Sequence, residues 1–146
     1  MYHINPFTLN SLQRFLDAQK NQYYIALREM REGSKRSHWI WFIFPQIQGL
    51  GQSPESKLYG ISDLDEAKAY LSHPVLGARL REITAEVLKH TDSSIRTIMG
   101  GGIDVKKFKS SMTLFDAVSP NDIFAKALET FYGGERDNKT LEMITL

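Results

Sequence analysis

No cysteine occurs in the 146 residues, which excludes disulfides, thiolate metal sites and cysteine nucleophiles and fits a cytoplasmic protein. Long hydrophobic runs are missing too. The longest, residues 39–45, falls far short of the roughly 20 residues that span a bilayer, so no membrane association is expected. Residues 1–10 lack a basic region followed by an apolar run and a small-residue cleavage site, and no secretory signal is expected. Neither sign of charge is in excess: 18 Lys and Arg face 17 Asp and Glu, a net +1. Without a global field no nucleic-acid partner is expected, and any basic site must be local. The four histidines, His3, His38, His73 and His90, form no two-histidine ligand spacing, so neither a metal site nor a cofactor is expected.

What is present describes a folded chain. A composition 42% hydrophobic and 24% charged is close to the globular average and far from that of disorder. A chain of this length buries roughly 68 to 70% of its unfolded surface, enough for one self-sufficient domain over residues 1–146. No internal repeat, low-complexity tract or long linker divides it.

The periodicity is helical. Leu9, Leu12, Leu16, Tyr23, Leu27 and Met30 recur at helical spacing, with the polar residues 19–22 as a possible break and Gly33 as C-cap. Ser53-Pro54, Ser62 with Asp65, Asp92 or Ser93, Ser119-Pro120 and Asp137 read as helix starts, and Pro74 opens an amphipathic stripe of Leu76, Leu80, Ile83 and Val87. Gly77 in that stripe suits a close helix approach. Val105, Phe108, Met112 and Phe115 form an aromatic stripe with Lys107 and Ser111 on the adjoining strip. The expected architecture is all-α, a single compact irregular domain of seven to nine helices. Residues 39–44 lack polar alternation, so periodicity leaves strand and helix both open there.

The same segment holds the first candidate chemistry. Trp39 or Trp41 offers a stacking face, and His38 and Gln46 offer hydrogen bonds to a ligand edge, although most of these aromatics fit an ordinary core. Gly49, Gly51 and Ser53 place mobile backbone ahead of a helix start, a weak anion-site signal without the third glycine of a dinucleotide fingerprint. Glycines 100–102, followed by Asp104, Lys106, Lys107 and Lys109, form a second candidate anion site, with Ser110, Ser111 and Thr113 as oxygen-fixing hydroxyls. This is not a Walker loop, and no Gly-x-Ser-x-Gly elbow supports a serine nucleophile. Asp104 and Asp116, about 18 Å apart at 1.5 Å per helical residue, cannot work as an adjacent acid–base pair.

Several strings together resemble a known family: residues 38–46 from His38 through both tryptophans to Gln46, residues 49–53, Tyr59, residues 66–74, residues 76–80 and the Lys109-to-Phe115 segment. They resemble a bacterial family of unknown function, DUF1810, whose members are often labelled calpastatin. That resemblance implies a small, mainly helical domain and carries no established activity or catalytic residue. The calpastatin label conflicts with the residues, because such an inhibitor is repetitive and disordered, so no protease inhibition is expected. A looser analogy links the chain to YbiA-like helical proteins that act on ADP-ribose derivatives.

The resulting expectation is a pocket between residues 37–51 and the lysine–serine helix. It would bind a phosphate-bearing small molecule such as a nucleotide or an ADP-ribose derivative, with N-glycoside hydrolysis as the first enzymatic reading and Asp104 as its only defensible acid or base. The competing expectation is a non-catalytic protein–protein interaction module with an exposed aromatic patch, its protein partner unspecified.

Overall fold

The first apolar stripe becomes one unbroken helix, α1 (Pro6–Glu32). The computed structural model describes residues 6–145, and the side chains of residues 11–145; the Leu9 side chain and His3 lie outside these. Residues 19–22 do not break α1 because Gln19 turns inward. It is 1% exposed, and its Nε2 donates to the Phe42 carbonyl at 2.8 Å and the Tyr70 hydroxyl at 3.0 Å. Those partners remove the penalty of burying an amide. Gly33 ends α1 at φ +76, with its own N–H donating to the Met30 carbonyl and that of Ser34 to the Glu29 carbonyl, a left-handed closure that favours glycine.

Residues 39–44 form neither a strand nor a full helix. A single turn, α2 (Ile40–Ile43), buries Ile40, Phe42 and Ile43, and Phe44 closes it by donating to the Ile40 carbonyl at 3.0 Å. Beyond Pro45 the chain meets a later segment in one parallel bridge between Ile47 and Ile61. The Ile61 N–H donates to the Gln46 carbonyl at 2.8 Å, and the Gln48 N–H to the Ile61 carbonyl at 2.7 Å. Among the described residues no strand forms.

The remaining helices are α3 (Pro54–Tyr59), α4 (Leu64–Ser72), α5 (Leu76–Leu88), α6 (Ile95–Met99), α7 (Gly102–Val118), α8 (Ile123–Tyr132) and α9 (Asn138–Ile144). The fold is therefore all-α, with nine helices among the described residues. Ser53 and Asp137 cap α3 and α9 as their sequences predict. Three other starts shift. Asp63, not Ser62, caps α4, because Glu66 then sits at the third helical position and accepts from the Ser62 N–H at 2.9 Å. Ser94 caps α6. Asp122 caps α8, since Asn121 adopts the left-handed region at φ 60 and holds the preceding residues in a turn. Pro74 likewise sits in a turn ahead of α5, where the His73 Nδ1 accepts from the Val75 and Leu76 N–H groups at 3.1 and 3.2 Å.

Helix α7 runs through the centre, packing against α2, α4, α6, α8 and α9. Its Phe108, Met112 and Phe115 are fully buried. Phe108 meets Phe44 edge-on at 4.9 Å between centroids, and Phe115 lies 5.4 Å from Tyr70 and 5.8 Å from Phe124, arrangements favoured by the ring quadrupoles. Because α2 docks on the same helix, the core fixes residues 39–51 against the α7 face that carries Lys107. Among the described residues no helix is long and apolar enough to cross a membrane.

Candidate functional site

The two tryptophans have opposite surroundings. Trp39 is fully buried, and its Nε1 donates to Glu29 Oε1 at 2.9 Å. Glu29 also accepts from the Arg36 and Ser37 N–H groups at 2.8 and 2.9 Å and from the Ser37 hydroxyl at 2.5 Å. Burial alone would raise the Glu29 carboxyl, but the bonds from Ser37, Arg36 and Trp39 outweigh it and hold the group down at about 2. Trp39 is thus a structural residue and presents no face to a ligand. Trp41 is half-buried and lines a cavity, while its indole Nε1 is enclosed without a partner.

Trp41, Gln46, Ile47, Gly51, Ser56, Tyr59 and Gly60 enclose a slot of about 10 Å³, room for a single water-sized group. Gln46 Oε1 is a second buried polar atom without a partner. Two residues that line the slot, Trp41 and Gln46, thus each carry a buried polar atom without a partner, where most buried polar atoms would be paired. Its walls are held firmly. The Ile47–Ile61 bridge fixes the Gln46 backbone, and Arg14 donates to the Leu58 and Gly60 carbonyls at 2.8 and 2.9 Å while pairing with Glu66 at 3.0 Å. Gly51 permits the close packing of the loop on α3, since a Cβ there would lie 2.3 Å from Ser56 Oγ.

Gln46 and Gly51 also border a wider cleft of about 300 Å³, completed by Leu50, Ile103, Lys106, Lys107, Ser110, Asp137 and Lys139. Lys107 stands between the two spaces. Its Nζ lies 3.3 Å from Ser56 Oγ and 6.0 Å from the Trp41 ring centroid. Neither Lys106, Lys107 nor Lys139 has an ion pair among the described residues, whereas Lys35, Lys89 and Lys109 do. One oxygen of Asp137, Oδ2, caps α9, accepting from the Thr140 N–H at 3.0 Å and the Thr140 hydroxyl at 2.6 Å.

Other candidates from the sequence separate from this pair of cavities. His38 is exposed and lines neither. Lys109 is committed to Glu135 and lies 5.8 Å from the Tyr132 ring centroid. The Thr113 hydroxyl donates to the Lys109 carbonyl and accepts from the Asp137 N–H, tying α9 to α7. Ser53 caps α3 through the Ser56 N–H at 3.1 Å. Gly49 turns the chain at φ +102 beside Met143. Ser110 lines the cleft, although its hydroxyl donates back to the Lys106 carbonyl at 3.0 Å. Ser111, one turn beyond Lys107, is fully buried with an unpartnered hydroxyl.

The glycine-rich anion site divides as well. A separate cavity there is lined by residues 100–104 alone, without the lysines. Asp104 in the first turn of α7 already faces its positive end and pairs with Lys35 at 2.9 Å. Sequence reasoning missed Ser56, Tyr59, Asp137 and Lys139 and undervalued Lys106. Only Lys139 carried a local signal: a cation in the first turn of a helix opposes the dipole, so its position is not explained by helix stability. Among the described residues no group of three His, Cys, Asp or Glu side chains is placed to hold a metal.

A conserved hypothetical protein of Mycobacterium tuberculosis, Rv1873, has a crystal structure that superposes with a TM-score of 0.89 at 45% identity, over 92% of this chain and 96% of that one. No curated protein matches the chain. A family model described as a protein of unknown function, DUF1810, matches residues 9–144. With a match over nearly its full length, the chain belongs to the DUF1810 family.

Proposed function

We propose that this protein binds a small phosphate-bearing molecule in the cleft between residues 46–51, α7 and the start of α9. The observation that carries the reading is the convergence of Lys106, Lys107 and Lys139 on one cavity with no ion pair among the described residues. Three ammonium groups around a concave surface focus a positive potential on it despite a net charge of only +1. Lys107 is the principal anchor, since its Nζ also reaches Ser56 on the wall of the slot lined by Trp41 and Gln46.

The site favours binding over hydrolysis. Asp104, the acid or base expected from the sequence, belongs to the glycine-loop cavity and the Lys35 ion pair. Asp137 lines the cleft with its Oδ2 held as the α9 cap. The reading as a protein-interaction module needs the central aromatics outside, but Trp39, Phe42 and Phe44 are buried.

Thermal unfolding with inorganic phosphate, sugar phosphates, nucleotides and ADP-ribose tests the proposal. A ligand at a hundred times its Kd stabilises the native state by about 2.7 kcal/mol. Lys107→Gln should reduce that shift for every phosphate compound. No shift with any of them in the native protein would overturn the proposal.

A further inference from the structure

The slot beside the cleft narrows the ligand class, on the proposed reading that the lysine cleft holds a phosphate. We infer that the ligand is a compact phosphorylated polyol or sugar, one of whose hydroxyl groups enters the slot between Trp41 and Gln46 while Lys107 holds its phosphate. The indole N–H only donates, and the Gln46 Oε1 only accepts. Both are buried and unpartnered, on two residues that line the same slot. A group that satisfies both must accept one hydrogen bond and donate another. A hydroxyl does this with a single heavy atom.

Volume decides between a hydroxyl and a planar ring edge. At about 10 Å³ the slot admits one water-sized group, which excludes a nucleobase or nicotinamide from it. The walls resist widening, because Arg14 clamps the Leu58 and Gly60 carbonyls and the Ile61 N–H holds the Gln46 carbonyl. Separation then sets the length of the molecule. Lys107 Nζ is 6.0 Å from the Trp41 ring centroid and 3.3 Å from Ser56 Oγ on the slot wall, so hydroxyl and phosphate are only a few bonds apart. That spacing suits a short phosphorylated polyol better than a dinucleotide stretched along the surface.

The test is calorimetric titration of the full chain with glycerol phosphate and with propyl phosphate, which share a carbon chain and a phosphate but differ in free hydroxyls, alongside inorganic phosphate. Glycerol phosphate should bind about tenfold more tightly than propyl phosphate, the scale of paired hydrogen bonds in a buried site. Trp41→Phe, which keeps an aromatic ring and removes the N–H, should bring that ratio close to one. Equal affinities of the native protein for the two esters would overturn the hydroxyl assignment and leave the phosphate reading standing. Failure of all three compounds to bind would overturn the polyol assignment, and together with no thermal shift from nucleotides or ADP-ribose it would overturn the phosphate reading as well.

Discussion

Glu29 shows how one carboxylate settles the fate of a tryptophan. Buried at 3% exposure, it gathers the Trp39 indole, the Ser37 hydroxyl and two backbone N–H groups onto its oxygens. Trp39 therefore turns inward, leaving Trp41 as the ring beside the cleft. Glu29→Gln places amide hydrogens against groups that already donate, and the expected cost is about 2 kcal/mol in urea denaturation. The pH dependence has a definite sign. Because the folded carboxyl is lowered from 4.5 to about 2, its contribution is fully present above 4.5 and is lost as pH falls from there through about 2. Stability measured over that window should fall less steeply in Glu29→Gln than in the native protein.

Among the elements, α3 depends most on its neighbours. It has six residues, none buried, too few to persist alone. Its place comes from Ser53 at one end and from Arg14 of α1 at the other, where the guanidinium binds the Leu58 and Gly60 carbonyls and Glu66 together. Arg14→Ala would remove the ion partner of a Glu66 side chain only 5% exposed, leaving it the Ser62 N–H and the Ser11 hydroxyl, and a loss of about 3 kcal/mol is expected from chemical denaturation. The contact between α4 and α5 was easier to foresee. Gly77 lies where a Cβ would stand 2.0 Å from the Leu71 carbonyl oxygen, the close approach that a glycine in an amphipathic stripe predicts. The unbroken course of α1 was not foreseeable, since the bonds that make Gln19 a core residue come from Phe42 and Tyr70.

Across the whole molecule, nearly balanced charge conceals a local excess. The net charge is +1, yet Lys106, Lys107 and Lys139 face a common cleft. Their attraction for a phosphate is open to solvent and screened over a Debye length of roughly 10 Å at 0.1 M salt. Affinity for glycerol phosphate should therefore fall with rising salt, and the double substitution Lys106→Gln, Lys139→Gln should flatten that dependence in calorimetric titrations at several ionic strengths.

The sequence by itself determined the all-α class, the buried α7 stripe and the capping roles of Ser53 and Asp137, because each rests on neighbours within a turn or two of the chain. It also pointed to Gln46. Tertiary structure alone decided which tryptophan lines the slot, separated Lys109 and Thr113 from Lys107 and brought Ser56 and Lys139 to the two cavities. Those outcomes depend on Glu29, Glu135, Asp137 and the Ile47–Ile61 bridge. Such partners lie too far along the chain for periodicity to record them, and only the packing of α2, α3 and α9 around α7 makes them neighbours.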